Sequence, residues 1–215
     1  MLIDALDWTG HSGFRLRARD ATIYIDPYRV ESGPPADLIL ITHGHYDHFS
    51  PQDVERLRHE RTRLVAPAAV AERVEGNVTS IAPGEAVEPD EARGVFVAAV
   101  AAYNTSKRDP EGNLFHPREA GWVGYDLNVR GERLYHAGDT DVIPEMDSVT
   151  GVDLALLPVS GTYVMTAAEA VEAARRIQPR MAVPMHWGAN IGTDEDAAVF
   201  AAKAPVEVRI MKRSA

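Results

Sequence analysis

The sequence predicts an α/β fold, a four-layer αββα sandwich, on three observations. Strand-like and helix-like segments alternate along the 215 residues without a linker or low-complexity stretch, strands come first and helices follow, and this order recurs in the second half. With 45% of its residues apolar, the chain can bury a substantial core, and its length fits one domain over 1–215 made of two similar halves. A single Rossmann-like sheet is the alternative, but no Gly-rich fingerprint supports it.

The elements follow in order. Phe14 to Arg17, Thr22 to Ile25 and Leu38 to Ile41 read as strands, the last apolar at every position and therefore covered on both faces. Ser50, Pro51 and Asp53 supply a cap, a first-turn proline and an acid at the positive end of a helix expected to run to about Arg61. Val95 to Ala102 is a further apolar strand. Trp122 to Val129 and Arg133 to His136 form a hairpin around Arg130-Gly131-Glu132. Leu154 to Leu157 and Met181 to Pro184 read as buried strands. Between them, Thr166 and Glu169 make a capping box before Ala170, Val171, Ala174 and Ile177, which share one helical face. Thr193 with Asp194, Glu195 and Asp196 opens a last helix.

The densest chemistry lies directly after Leu38 to Ile41. Thr42-His43-Gly44-His45-Tyr46-Asp47-His48 sets three imidazoles and a carboxylate in one short turn. Neutral imidazole nitrogens and carboxylate oxygens are the ligands that divalent zinc, manganese and iron accept, and such a cluster is costly to bury without a cation. In a tight turn His43 and His45 can project to one side while Asp47 and His48 reach a second position, so one loop could serve two adjacent metals.

The pattern His-x-His-x-Asp-His resembles the signature of the metallo-β-lactamase fold superfamily, and the resemblance extends over most of the chain. It implies the αββα architecture, a dinuclear metal site and a role for each matching residue. His43, His45, Asp47 and His48 match the second motif. Asp26, which ends Thr22-Ile23-Tyr24-Ile25, resembles the first-motif aspartate that supports the His-rich loop. Asp139 in Tyr135-His136-Ala137-Gly138-Asp139-Thr140-Asp141 resembles the aspartate that bridges the two metals. His186 in Val183-Pro184-Met185-His186-Trp187-Gly188 resembles the final ligand of the second metal. The opening Trp8-Thr9-Gly10-His11-Ser12-Gly13 is similar to that of a branch of small metal-dependent hydrolases that includes ascorbate-phosphate lactonase-like proteins and relatives of N-acyl phosphatidylethanolamine phospholipase D.

One motif departs from the pattern. The family's usual histidine directly follows the strand that corresponds to Val95 to Ala102, but here that strand runs into Tyr103-Asn104-Thr105-Ser106-Lys107. His116 is the best substitute, with Asn104 or a vacant position as the competitors, since His43 and His45 alone leave the first metal short of a third protein ligand. The loop from Tyr103 to Gly121 must then fold back over the metals and wall the substrate pocket. His136, three residues before Asp139, is turned away by strand alternation and reads as a buried supporting group. His11 reads as a donor to substrate or water.

Composition bounds the rest. No cysteine is present, so there is no disulfide and no thiolate ligand, which excludes the Cys-bearing zinc site of some true β-lactamases. The net charge of −10 opposes loose binding to phosphate backbones, and no nucleic-acid partner is expected. The basic run Arg56 to Arg63 reads as a solvated helix face, with His59 as a surface residue. The absence of a spanning apolar run and of a leader points to a cytoplasmic protein without a membrane partner, and a homo-oligomer stays open.

The resemblance implies a hydrolase. Two divalent ions about 3.5–4 Å apart, zinc first and manganese or iron next, would generate hydroxide near neutral pH and polarise the substrate. The scissile bond is an ester, lactone or phosphodiester of a small anionic molecule. Asp139 would bridge and orient, Asp47 would bind the second metal and take up a proton, and a metal-held water, His11 or His136 would protonate the leaving group. A di-iron redox or metal-sensing protein is the alternative from another class, disfavoured by the lack of an electron-donor module. An RNA-processing nuclease is the weaker hydrolase case, as no basic arm or extra domain is visible.

Overall fold

The computed structural model describes residues 1–18, 20–90, 93–188 and 191–214. The first sheet has six strands in chain order: β1 (Leu6–Gly10), β2 (Gly13–Ala18), β3 (Ala21–Ile25), β4 (Leu38–Leu40), β5 (Arg63–Ala66) and β6 (Val78–Ser80). The first three run antiparallel and the last four parallel. The second sheet has seven strands: β7 (Ala86–Asp90), β8 (Val95–Ala101), β9 (Val123–Val129), β10 (Glu132–His136), β11 (Leu154–Pro158), β12 (Met181–Met185) and β13 (Glu207–Val208). They pair in sequence order, antiparallel up to β10 and parallel beyond it.

Alternation along the strands explains the layering. Ile23, Ile25, Leu38, Leu40 and Val65 point into the large core that the two sheets share. Their neighbours Tyr24, Ile39, Ile41, Leu64 and Ala66 point the other way, into a smaller core closed by Val54 and Leu57 of α1 (Pro51–Leu57) and Val70 of α2 (Ala68–Ala71). A strand buried on both faces has no polar position, which is why β4 reads Leu-Ile-Leu. On the far side, α3 (Ala167–Ile177) packs on β11 and α4 (Asp194–Lys203) on β12, completing the αββα sandwich. Both helices start with a reciprocal capping box, Thr166 with Glu169 and Thr193 with Asp196, and each cap is worth about 1 kcal/mol.

The first helix is shorter than expected. It ends at Leu57, because the Leu57 carbonyl accepts the Ala36 N–H at 2.8 Å and Arg58 leaves helical geometry. The basic run is therefore not one helix face: Arg58 caps the helix, exposed His59 lies in the connection, and Arg63 opens β5. No helix among the described residues is long and apolar enough to cross a membrane.

Two contacts lock the sheets together beneath the site. The buried Tyr125 hydroxyl on β9 donates to the carbonyls of Ile41 (2.7 Å) and Val65 (3.2 Å) across the interface. The Val123 N–H donates to Thr42 O at 3.1 Å. The segments bearing Asp26, residues 42–48, Asp139, Ser160 and His186 all leave the carboxyl ends of β3, β4, β10, β11 and β12, the edge at which open α/β sheets place ligands.

Candidate metal centre

The turn after β4 is built around Asp26, a fully buried carboxylate. It accepts the Thr42 N–H (2.8 Å), the Thr42 hydroxyl (2.6 Å) and Nδ1–H of His48 (2.7 Å). Having given its proton to Asp26, the Thr42 oxygen can accept Nδ1–H of His43, 3.0 Å away. One buried acid thus fixes the turn and two of its imidazoles, with Nε2 of each left as a lone pair.

The same device recurs on the second sheet. Nδ1–H of His116 donates to Asn104 Oδ1 at 2.9 Å, and Nδ1 of His186 lies 2.9 Å from the Ser160 hydroxyl. Asp139 stands where these side chains meet. Its Oδ2 is 3.2 Å from Nε2 of His186, 3.3 Å from Nε2 of His116 and 3.9 Å from Nε2 of His43, while Oδ1 is 3.2 Å from Nε2 of His48. The turn that presents it needs a glycine: Gly138 has φ +65, and a Cβ there would sit 2.8 Å from the Val123 carbonyl.

Ligand atoms gather in two groups with Asp139 between them. His43, His45 and His116 form one; His11, Asp47, His48 and His186 form the other; His43, His48 and Asp139 are also within reach of one another. Nε2 of His48, His116 and His186 and Oδ1 of Asp139 are buried without a hydrogen-bond partner. Leaving several polar atoms of one pocket unsatisfied costs about 1–3 kcal/mol each, and a shared cation removes that cost. This donor set of imidazole and carboxylate fits a divalent metal.

The electrostatics are those of a site built for positive charge. Burial drives His43 well below the ordinary imidazole value, and neighbouring His48 adds to the effect. Burial likewise lowers His45, with His116 contributing. His48 goes the other way, since Asp139 and Asp26 outweigh burial and raise it well above the usual value. Burial would raise Asp139, but His186 and His48 hold it well below the carboxylate range. For Asp47 too, burial is outweighed, here by the His11 hydrogen bond and His48, which bring it down to about 2.

His11 is delivered by a bulge. The pairing of β1 with β2 slips between Trp8 and Gly10, and His11 follows with φ +53. Its Nε2 is 3.0 Å from Asp47 Oδ2, its ring centroid is 4.1 Å from that of His186, and its carbonyl accepts the His186 N–H at 2.9 Å. His186 (φ +59) and Asp26 (φ +45) share the left-handed conformation, a strain of the kind that concentrates at functional sites. His136 points elsewhere, donating Nε2–H to Ser12 O at 2.9 Å and accepting the Gly138 N–H on Nδ1.

This architecture can be set beside known proteins. The family model described as "Beta-lactamase superfamily domain" matches residues 5–186. A UPF0173 metal-dependent hydrolase from Opitutus terrae is 32% identical, over 93% of this chain and 91% of its own. The chain belongs to the metallo-β-lactamase superfamily, among its metal-dependent hydrolases. A second superfamily member, the UPF0173 metal-dependent hydrolase of Thermococcus onnurineus, is 34% identical over 83% of this chain and 82% of its own. Among solved structures, a protein from Parabacteroides distasonis described as a metal-dependent hydrolase has a TM-score of 0.83 at 31% identity, covering 97% of this chain and 93% of that one. The metallo hydrolase Igni18 of Ignicoccus hospitalis shares the fold, with a TM-score of 0.78 at 23% identity and coverages of 98% and 95%.

Four residues of this superfamily site were not singled out from sequence. Asp141 accepts from Asn104 Nδ2 (3.3 Å) and from the N–H groups of Thr105 (2.8 Å) and Ser106 (3.0 Å), and so ties down the loop that carries His116. Ser160 stands behind His186. Trp122 packs its ring against His43 and His45, with centroids 5.0 and 4.7 Å away. Thr42 relays Asp26 to His43. Only the Asp-Thr-Asp run at 139–141 offered a local signal; the others act through tertiary contacts.

Proposed function

We propose that the two groups hold two divalent cations, zinc first, bridged by Asp139, and that the protein uses them to hydrolyse an ester, lactone or phosphodiester bond of a small anionic substrate. In this reading His43, His45 and His116 hold one ion and Asp47, His48 and His186 the other. The observation that carries it is the convergence of the unpartnered Nε2 atoms of His48, His116 and His186 on Asp139. When bound, such a pair of ions supplies a water acidified toward neutrality and a Lewis acid for the scissile oxygen.

The chain's own groups do the remaining work. Asp26, Asn104 and Ser160 hold the imidazoles so that Nε2 faces inward, which lowers the cost of organising the site. Asp47, an acceptor at any working pH, receives Nε2–H of His11. His11, so held beside the site, is the residue that would take up a proton from the attacking water and pass it to the leaving group.

The test is elemental analysis of the purified protein alongside hydrolysis of bis(p-nitrophenyl) phosphate, p-nitrophenyl acetate and a simple lactone. Two zinc or manganese ions per chain with cleavage of any of these supports the reading. Stoichiometric iron with a visible absorption band and no hydrolysis would replace it by a di-iron redox function.

A further inference from the structure

Resting on the hydrolase reading, we infer that the cleft beside His11 seats the uncleaved part of the substrate, and that it takes an organic anion carried on an aromatic body. The cleft measures about 560 Å³, within the range of small-ligand sites. It adjoins the candidate centre through His11, which lines it and whose Nε2 is 3.0 Å from Asp47 Oδ2, and through Trp187 and Gly188, which directly follow His186.

The floor is aromatic and rigid. Trp8 and Trp187 stack with centroids 4.8 Å apart and planes 24° from parallel. Both indole N–H groups are engaged inward, Trp8 with His11 O at 2.9 Å and Trp187 with Pro184 O at 3.1 Å. Both rings are buried, so what little of them reaches the cleft is apolar, and most of its apolar surface comes from Tyr28, Met211 and Ile210, the last 43% exposed. Such a surface recognises a flat ring at little entropic cost.

The rim is cationic in a protein whose net charge is −10. Arg29, Lys212 and Arg213 line it against one carboxylate, Asp194. Arg213 is held in place by donating to the carbonyls of Thr9 (2.8 Å) and Arg29 (2.9 Å). Among the described residues, Arg29 and Lys212 have no salt-bridge partner, although most of the cations elsewhere on the surface are paired. Arg29 lies over the Tyr28 ring at 5.1 Å, which joins the charged rim to the aromatic floor. A dense run of phosphates would need a longer basic track than this; one or two negative charges suffice.

Titration calorimetry on the metal-loaded protein tests this with three inert probes. Phenylphosphonate has both ring and charge, methylphosphonate lacks the ring, and benzyl alcohol lacks the charge. Phenylphosphonate is expected to bind at least about tenfold more tightly than either, and Lys212→Glu or Ile210→Asp to remove most of that advantage with metal content unchanged. Equal affinity for the two phosphonates, or indifference to both substitutions, overturns the inference. If that happens in a protein that holds two metals and cleaves small esters, the hydrolase reading stands and only the cleft assignment falls. If the selectivity is present in a protein that binds no metal and hydrolyses nothing, the hydrolase reading fails and takes the substrate role of the cleft with it.

Discussion

His186 and His116 reach the same oxygen of Asp139, at 3.2 and 3.3 Å, and the chain builds them differently. His186 follows the last residue of β12, so a buried strand paired on both sides in the second sheet fixes its position and Ser160 needs only to set the ring. His116 lies well beyond the end of β8, in a connection without regular strands. There a polar relay does what the sheet does for His186. Asn104 Oδ1 accepts both Nδ1–H and the backbone N–H of His116, each at 2.9 Å; Asn104 Nδ2 donates to Tyr163 O at 2.9 Å, and Asp141 gathers the N–H groups of Thr105 and Ser106. A candidate ligand position not supplied by a strand end can thus be supplied by a loop whose backbone is pinned by buried, hydrogen-bonded groups.

The strongest way to collapse the difference is to remove what both sides share. Asp139→Ala is expected to lose metal from both groups and at least about 10³-fold in turnover, read by elemental analysis and the ester assay. Next in size, His186→Ala and His116→Ala should each leave about one metal per chain, whereas His59→Ala leaves metal content as in the parent. Equal metal in all of these variants would sink the ligand assignment.

Smaller effects sharpen the contrast. Asn104→Ala should weaken metal binding at the His116 side by about 10–100-fold in a chelator competition, while Ser160→Ala weakens the other side less, because β12 still holds His186. Comparable losses in both variants would mean that the sheet contributes no more than the relay.

The smallest effect concerns the outer tie of the loop. Lys107 donates to both oxygens of Glu169 at 2.7 and 2.8 Å and stands 3.2 Å from Asp141. Burial tends to raise the Glu169 carboxyl, but Lys107 and the Thr166 backbone outweigh it and hold it below the ordinary value. A depressed carboxylate contributes its stability in full above the unfolded value and loses it as pH falls through the folded one. Between about pH 5 and pH 3, the thermal midpoint of the parent should therefore fall faster than that of Glu169→Gln. Glu169 is partly exposed, so the gap should be no more than about 1–3 °C. Parallel curves would show that this tie adds nothing.

The same contrast explains what was legible in the sequence. Where a strand is buried on both faces, as β4 is, every position is apolar and the element announces itself. The turn 42–48 carries its chemistry in consecutive residues and needs no tertiary knowledge to be noticed. The helix boundary at Leu57 escaped because a bond from Ala36, distant in sequence, ends it. β7 was missed because it is an edge strand with Pro89 in it, and β13 because it has only two residues. In the sequence Asn104 reads only as a rival ligand to His116, and Asp141 only as part of the Asp-Thr-Asp run; their role as a relay depends on which loop they hold, which tertiary contacts alone decide.

The hydrogen bond from the His186 N–H to the His11 carbonyl joins two turns from different sheets, each with its histidine in the left-handed region. That bond is made by the main chain and survives most replacements, but the two rings it brings together have centroids 4.1 Å apart. A replacement at 11 is therefore expected to change the packing of the ring at 186, so that the energies of single changes at these two sites should not add. Variation at the two positions should accordingly occur in pairs, with single steps between working combinations selected against.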